Sequence, residues 1–101
     1  MTMILGLQLN AADLYVNSSG STGTYTTLTS ALTAASDGDR IIVSTLINLI
    51  EDISIDKSVT ITSSSSGNMF TLNGIMNVVA TAQKEIRIIG ADVTSLTFTA
   101  G

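Results

Sequence analysis

Apolar residues along this chain keep two different periods. Leu28, Ala31, Leu32 and Ala35 fall at i, i+3, i+4 and i+7, which places them on one face of a helix. Thr26 or Thr27 can supply the N-cap hydroxyl, and Gly38, just past Ser36-Asp37, suits the C′ position because it reaches the left-handed region without a Cβ clash. A helix of about ten residues cannot stand alone in water, so this one must dock on an apolar surface. The remaining apolar runs are short and alternating. Leu14-Tyr15-Val16 is closed by the turn-rich stretch from Asn17 to Gly23. After the helix come Ile41-Ile42-Val43, Ile53-Ser54-Ile55, Val59-Thr60-Ile61, Phe70-Thr71-Leu72, Ile86-Arg87-Ile88 and Leu96-Thr97-Phe98. Runs of this kind predict many brief strands, each with one buried face.

The connections between these strands do not read as hairpins. The one Asp-Gly lies between helix and first strand, and Asn73-Gly74 is the sole candidate for a two-residue hairpin turn. The shift that carries Val59 onto Ile86 lays Val59-Thr60-Ile61-Thr62-Ser63 on Ile86-Arg87-Ile88-Ile89-Gly90, sets Lys57 on Lys84 and pairs Gly74 with Gly101. With a one-residue adjustment it also brings Phe70 and Leu72 onto Leu96-Thr97-Phe98, which places Phe70 and Phe98 on the inward register as stacked core aromatics. A repeat in the twenties with three short strands is the pattern of a β-solenoid, in which each turn buries its inward residues on the next.

The stretch Asp37-Gly38-Asp39-Arg40-Ile41-Ile42-Val43, followed by Asp52-Ile53-Ser54-Ile55-Asp56-Lys57-Ser58-Val59-Thr60-Ile61, resembles the opening of pectate-lyase-like right-handed parallel β-helix proteins. In that family a small helix similar to Tyr25-Thr26-Thr27-Leu28-Thr29-Ser30-Ala31-Leu32 caps the first coil. The resemblance runs over residues 13–74 and reaches the rest through the repeat. It departs at Ser44-Thr45-Leu46-Ile47-Asn48-Leu49-Ile50, where family members carry a glycine and an aromatic in a tight turn. The fold it implies is an all-β solenoid, a right-handed parallel β-helix with a short N-terminal capping helix, covering residues 13–101 in about two coils. Right-handedness follows from the chirality of parallel crossovers and from the family. Residues 1–12 read either as the end of a truncated export signal, with a cleavage-like Leu9-Asn10-Ala11 but no basic n-region, or as an N-terminal strand covering the core.

Composition agrees with many strands and narrows the chemistry. Hydrophobic residues make up 45% of the 101 and charged residues only 12%, their place taken by 13 Ser and 15 Thr. Hydroxyls and β-branched side chains in this proportion favour extended structure. The net charge of −4 and the scatter of the four cations, Arg40, Lys57, Lys84 and Arg87, argue against a nucleic-acid partner. No Cys and no His are present, which excludes disulfides, thiolate or imidazole metal sites, Ser-His-Asp triads and Cys-His dyads on residue type alone. No stretch reaches the length of apolar chain needed to span a bilayer.

The residues that could carry chemistry each have a plainer role. Asp37 with Asp39, and Glu51 with Asp52 and Asp56, could bind Ca²⁺ or transfer protons. The plainer reading puts the first pair in a turn at the helix end and leaves the second group keeping a corner soluble. Lys57, Lys84 and Arg87 could serve a polysaccharide lyase as the cation beside a uronate, but Lys57 and Lys84 also fit one above the other on an outer face. Ser63-Ser64-Ser65-Ser66-Gly67-Asn68 reads as a hydroxyl-rich turn rather than a binding loop, and Asn17-Ser18-Ser19 is a glycosylation sequon. No catalytic, cofactor-binding or metal-binding residue is therefore assigned. The expected function is that of a non-catalytic N-terminal segment of a secreted or cell-surface β-helix protein with a structural, adhesin-like role, meeting polysaccharide or cell-surface glycan through the full-length protein. The alternative is the N-terminal fragment of a secreted polysaccharide lyase or glycoside hydrolase whose active site lies beyond residue 101. The last coil is expected to be covered either by further chain or by end-to-end association with another copy.

Overall fold

The computed structural model describes residues 12–21, 23–80 and 84–100. The apolar start, including Leu9-Asn10-Ala11, and the Gly74–Gly101 match of the repeat lie outside the described residues. In chain order the elements are β1 (Asp13–Val16), β2 (Thr24–Tyr25), α1 (Leu28–Ala34), β3 (Arg40–Val43), β4 (Asn48–Ile50), β5 (Ile53–Ile55), β6 (Thr60–Ser63), β7 (Phe70–Ala80), β8 (Arg87–Ile89) and β9 (Ala91–Ala100). They form two sheets, one ordered β2-β1-β3-β6-β8 and the other β9-β7-β4, with β5 also paired to β7. Every pairing described is parallel. The protein is thus a mostly parallel β structure with one short helix. Asn73-Gly74 does not turn a hairpin, because both residues lie inside β7.

The chain passes back and forth between the two sheets, and each pass lands beside the one before. Asp13 of β1 pairs with Arg40 of β3, and Thr60 of β6 with Arg87 of β8, at one and the same sequence offset, as the repeat predicted for the latter pair. Between β3 and β6 the offset is shorter, Arg40 pairing with Thr60, so the period is not uniform. It lengthens again where β4 meets β7 (Asn48 with Thr71) and β5 meets β7 (Ile53 with Met76), because the loop from Ser64 to Met69 is longer than its counterpart in the preceding pass. The return from Val78 to Arg87 supplies the remaining length. The predicted match of Phe70 and Leu72 with Leu96 and Phe98 fails for a related reason. Phe70 pairs with Ala91 and Leu72 with Val93, while Leu96 and Phe98 pair with Met76 and Val78. A single sequence shift overlooks β7, an 11-residue strand long enough to present two inward pairs in succession.

α1 occupies, in the first pass, the place that β4 and β5 take in the second. It lies between β1 and β3 in the chain and packs against β1, β2, β3 and β5. Leu28, Ala31 and Leu32 are its buried face, as their spacing requires. Thr27 is the N-cap, its hydroxyl accepting from the Ser30 N–H at 3.1 Å. The helix is shorter than its spacing suggested, and Ala35 rather than the residue before Gly38 closes it. Gly38 instead sits in the turn closed by Asp39 N–H to Ser36 C=O, with φ at +95°, where the third turn position needs the left-handed side.

Inward side chains from the two sheets meet in one core. They stack in columns along the paired strands: Leu14, Ile41, Ile61 and Ile88 in one sheet, and Leu49, Leu72 and Val93, Ile53, Met76 and Leu96, and Ile55, Val78 and Phe98 in the other. Each middle member is buried, at about 1.5–3 kcal/mol of transfer free energy for a full aliphatic side chain. The last members differ. Phe98 stands on the inward register as expected, yet it is 70% exposed while Phe70 is fully buried, because among the described residues no strand lies beyond β9.

The columns are joined at a corner by a close backbone approach. β4 and β5 are separated by Glu51-Asp52, and the paired strand β7 continues past them through Gly74-Ile75. A Cβ on Gly74 would lie 1.9 Å from the Glu51 carbonyl oxygen, so only glycine permits this spacing. The Ile75 N–H donates to the Asp52 carboxylate at 2.9 Å, which holds the corner in register.

Two substitutions test this packing. Leu28→Asp should cost on the order of 4 kcal/mol, since it places an unpaired charge beneath the helix, and a urea midpoint equal to that of the parent chain would show that this face is not buried. Gly74→Ala should cost about 2–3 kcal/mol through backbone displacement at the corner, and a neutral result in the same titration would contradict the close approach.

Candidate functional site

The charged residues singled out from sequence are distributed over the fold, and most are held by main-chain partners. Asp39 is buried, and its carboxylate accepts from the Ala12 N–H at 2.9 Å and from the Ser36 N–H at 2.8 Å. It ties the entrance of β1 to the end of the helix. Asp37, two positions earlier, points elsewhere: it accepts from the Ser58 N–H at 2.9 Å and from the Lys84 ammonium at 3.1 Å. The two carboxylates do not share a ligand position, and the turn reading describes them.

Glu51, Asp52 and Asp56 also separate. Glu51 does more than keep a corner soluble: its carboxylate accepts from the N–H groups of Leu28 and Thr29, at 2.8 and 2.9 Å, and from the Thr29 hydroxyl. These are orphan donors of the first helical turn, where a negative charge is also favoured by the helix dipole. At the other end of the same helix the Lys57 ammonium donates to the carbonyls of Leu32 at 2.7 Å, Thr33 at 3.2 Å and Ala35. One acid and one base, both flanking β5, thus grip the two ends of α1. Sequence reasoning missed this clamp, and its only signal was that an acid and a lysine bracket the predicted strand Ile53-Ser54-Ile55.

The other cations are engaged as well. Arg40 makes a two-pronged pair with Asp13, at 2.9 and 3.0 Å, and Arg87 lies 3.9 Å from Glu85. Lys57 and Lys84 occupy matching places in the repeat but reach different partners, the first a helix end and the second Asp37. The Ser63–Asn68 stretch closes on itself through Asn68 N–H to Ser65 C=O, Asn68 Nδ2 to Ser65 Oγ and Ser63 Oγ to Ser65 C=O, which makes it a built turn. The Asn17 side chain of the sequon accepts from the Ser19 N–H at 2.9 Å in an Asx turn.

A groove of about 350 Å³ runs between α1 and β5, floored by Leu32 and Ile53 and bordered by Thr29, Thr33, Asp52, Ser54, Asp56 and Lys57. It offers hydroxyls and two carboxylates, one of them already accepting from Ile75 N–H. The lysine is committed to the helix carbonyls. No group of three or more metal-ligating side chains occurs among the described residues, and no helix among them is long and apolar enough to cross a membrane. No protein-family model matches the chain, and no curated protein or solved structure matches it.

Two carboxyls are held below the ordinary range. For Asp37 the chief cause is the Ser58 N–H, then the Lys84 ammonium; for Asp13 it is the hydrogen bond from Arg40. A carboxyl lowered in the fold stabilises it above the unfolded-state value, and that contribution disappears as pH falls through the folded value. The melting temperature should therefore drop on acidification below about pH 4, and the drop should be shallower in Asp37→Asn. Circular-dichroism melts across that window check this, and an identical acid limb in parent and variant would remove Asp37 from the account.

Proposed function

We propose that this chain is a non-catalytic, helix-lidded segment of a right-handed parallel β-helix that works outside the cell or on its surface, in a structural, adhesin-like role. The observation that carries the reading is the combination of parallel, in-register ladders with charged side chains most of which are engaged within the fold. Parallel strands returning to two sheets in alternation are what a β-helix requires, and a short amphipathic helix over the first pass shields strand edges that would otherwise template aggregation. The likeness of Asp37–Val43 and Asp52–Ile61 to the opening of pectate-lyase-like proteins supports the same architecture.

The outer surface suits a scaffold in contact with glycans. On the outward face of the second sheet, Asn48, Thr71 and Asp92 fall in one row and Ser54, Asn77 and Thr97 in another. Side chains bridge neighbouring strands there, Asn73 to Asn48 at 3.2 Å and Thr97 to Asn77 at 2.9 Å. Such rows give a weakly charged, hydrogen-bonding surface, suited to hydroxyl-rich partners and poorly suited to polyphosphate. Nothing in the groove beside α1 supplies the free cation that a uronate lyase uses, which favours the structural role over the enzymatic one.

Antibody raised against the folded chain should label intact cells that make the protein, or recover it from their medium. The purified chain incubated with polyuronate should release no unsaturated uronate, measured by ultraviolet absorbance. Labelling only after permeabilisation would contradict the location, and a steady rise in absorbance would contradict the non-catalytic role.

A further inference from the structure

Among the described residues, the end of the stack opposite α1 is open. Its two edge strands are β8 and β9, and their inward side chains are the least covered members of the core columns. Met69, Met76, Ile88, Val93 and Leu96 line an apolar depression there, with Leu96 50% and Phe98 70% exposed. The edge lacks the usual protections. β9 carries one charge, Asp92, and no proline or lysine along its length.

The pattern along β9 reads the same in both directions. Its inward positions are Ala91, Val93, Leu96 and Phe98, fixed by pairing with Phe70, Leu72, Met76 and Val78, and the register break falls between Val93 and Ser95. Reversing the strand about the midpoint of Thr94 and Ser95 exchanges Ala91 with Phe98 and Val93 with Leu96. An antiparallel copy in that register would set inward residues against inward residues on both sides of the register break, with break on break. Asp92 would face a threonine, Thr97, so the two copies would not bring like charges together. Shifting the register by one residue would set apolar side chains against polar ones.

We propose that two copies of this chain join through this open end, β9 against β9 in antiparallel order, with Ala91 of one copy opposite Phe98 of the other and Val93 opposite Leu96. Such a contact is isologous and closes at two. Head-to-tail growth would need an open strand edge at the other end of the second sheet, where α1 stands against β5 with both its ends bonded. The strip has the right order of size. Ten extended residues span about 33 Å and two facing sheets with their side chains about 20 Å, giving on the order of 650 Å² per copy against about 800 Å² in stable complexes. A second copy fits these observations better than an unrelated strand, since the palindromic register belongs to the chain itself.

Sedimentation equilibrium of the full chain should show a concentration-dependent rise to twice 10.5 kDa. The double substitution Leu96→Lys with Phe98→Lys should return it to monomer, with the far-ultraviolet spectrum retained because both sites are exposed in one copy. The register is tested with cysteines in a chain that has none. Asp92→Cys combined with Thr97→Cys should oxidise to a covalent dimer, while either alone should not, since the like positions lie about 17 Å apart across the axis. A parent chain that stays monomeric to about 100 µM, or that grows past two copies, overturns the proposal. So does a dimer that persists in the lysine variant or that forms no disulfide in the double-cysteine chain.

Discussion

The structure depends on one constraint: where strands of successive passes meet, the inward side chains of one must lie directly beside those of the other. The column Leu14, Ile41, Ile61 and Ile88 shows how this operates. In a parallel ladder like side chains come together at a fixed strand spacing, so a β-branched residue in one pass asks for another in the next. Interior members gain full burial from neighbours on both sides. A slip of one residue in any strand would turn its apolar set outward. The same constraint explains why the chain can vary its pass length, pairing Arg40 with Thr60 but Thr60 with Arg87, without losing the core. Extra residues are placed in the Ser64 to Met69 loop and in the return to β8, leaving the columns in register.

The helix answers the problem this design creates at its start. Among the described residues no pass precedes the first, and there α1 fills the position that two strands occupy in the second pass. Its own stability is too small to hold it there. Burial of Leu28, Ala31 and Leu32 is therefore supplemented at both ends, by Glu51 on its free N–H groups and Lys57 on its free carbonyls. Glu51 belongs to the corner whose carbonyl closely approaches Gly74, so the position of the lid and the bend of the second sheet are set by the same corner, Glu51-Asp52. The charged inventory is small, and much of it is used in tying passes together.

Much of this was legible in the sequence because it rests on local periodicity. The helical spacing of Leu28 to Ala35, the alternating runs and the alignment of Thr60-Ile61-Thr62 with Arg87-Ile88-Ile89 all correspond to paired or buried positions. What sequence could not supply was longer in range. β7 is one strand through Asn73-Gly74, because the glycine is required by the approach of Glu51 from the preceding pass and not by a local turn. Phe98 has the inward phase of a core aromatic, but phase says nothing about whether a further strand covers it. Glu51 and Lys57 carry no local sign that they act on a helix from an earlier pass of the chain. Side-chain targets across passes depend on the winding, which periodicity alone does not fix.

The most direct test of the central claim is a nuclear Overhauser measurement of backbone proximity between strands that are neighbours only in a parallel stack. The account predicts contacts linking Ile41 to Ile61 and Ile61 to Ile88, together with Leu72 to Val93, in ladders whose residue numbers increase together. Ladders in which one number rises as the other falls would mean that the runs fold back on themselves, and would contradict the stacked core from which the lid, the corner and the open end all follow.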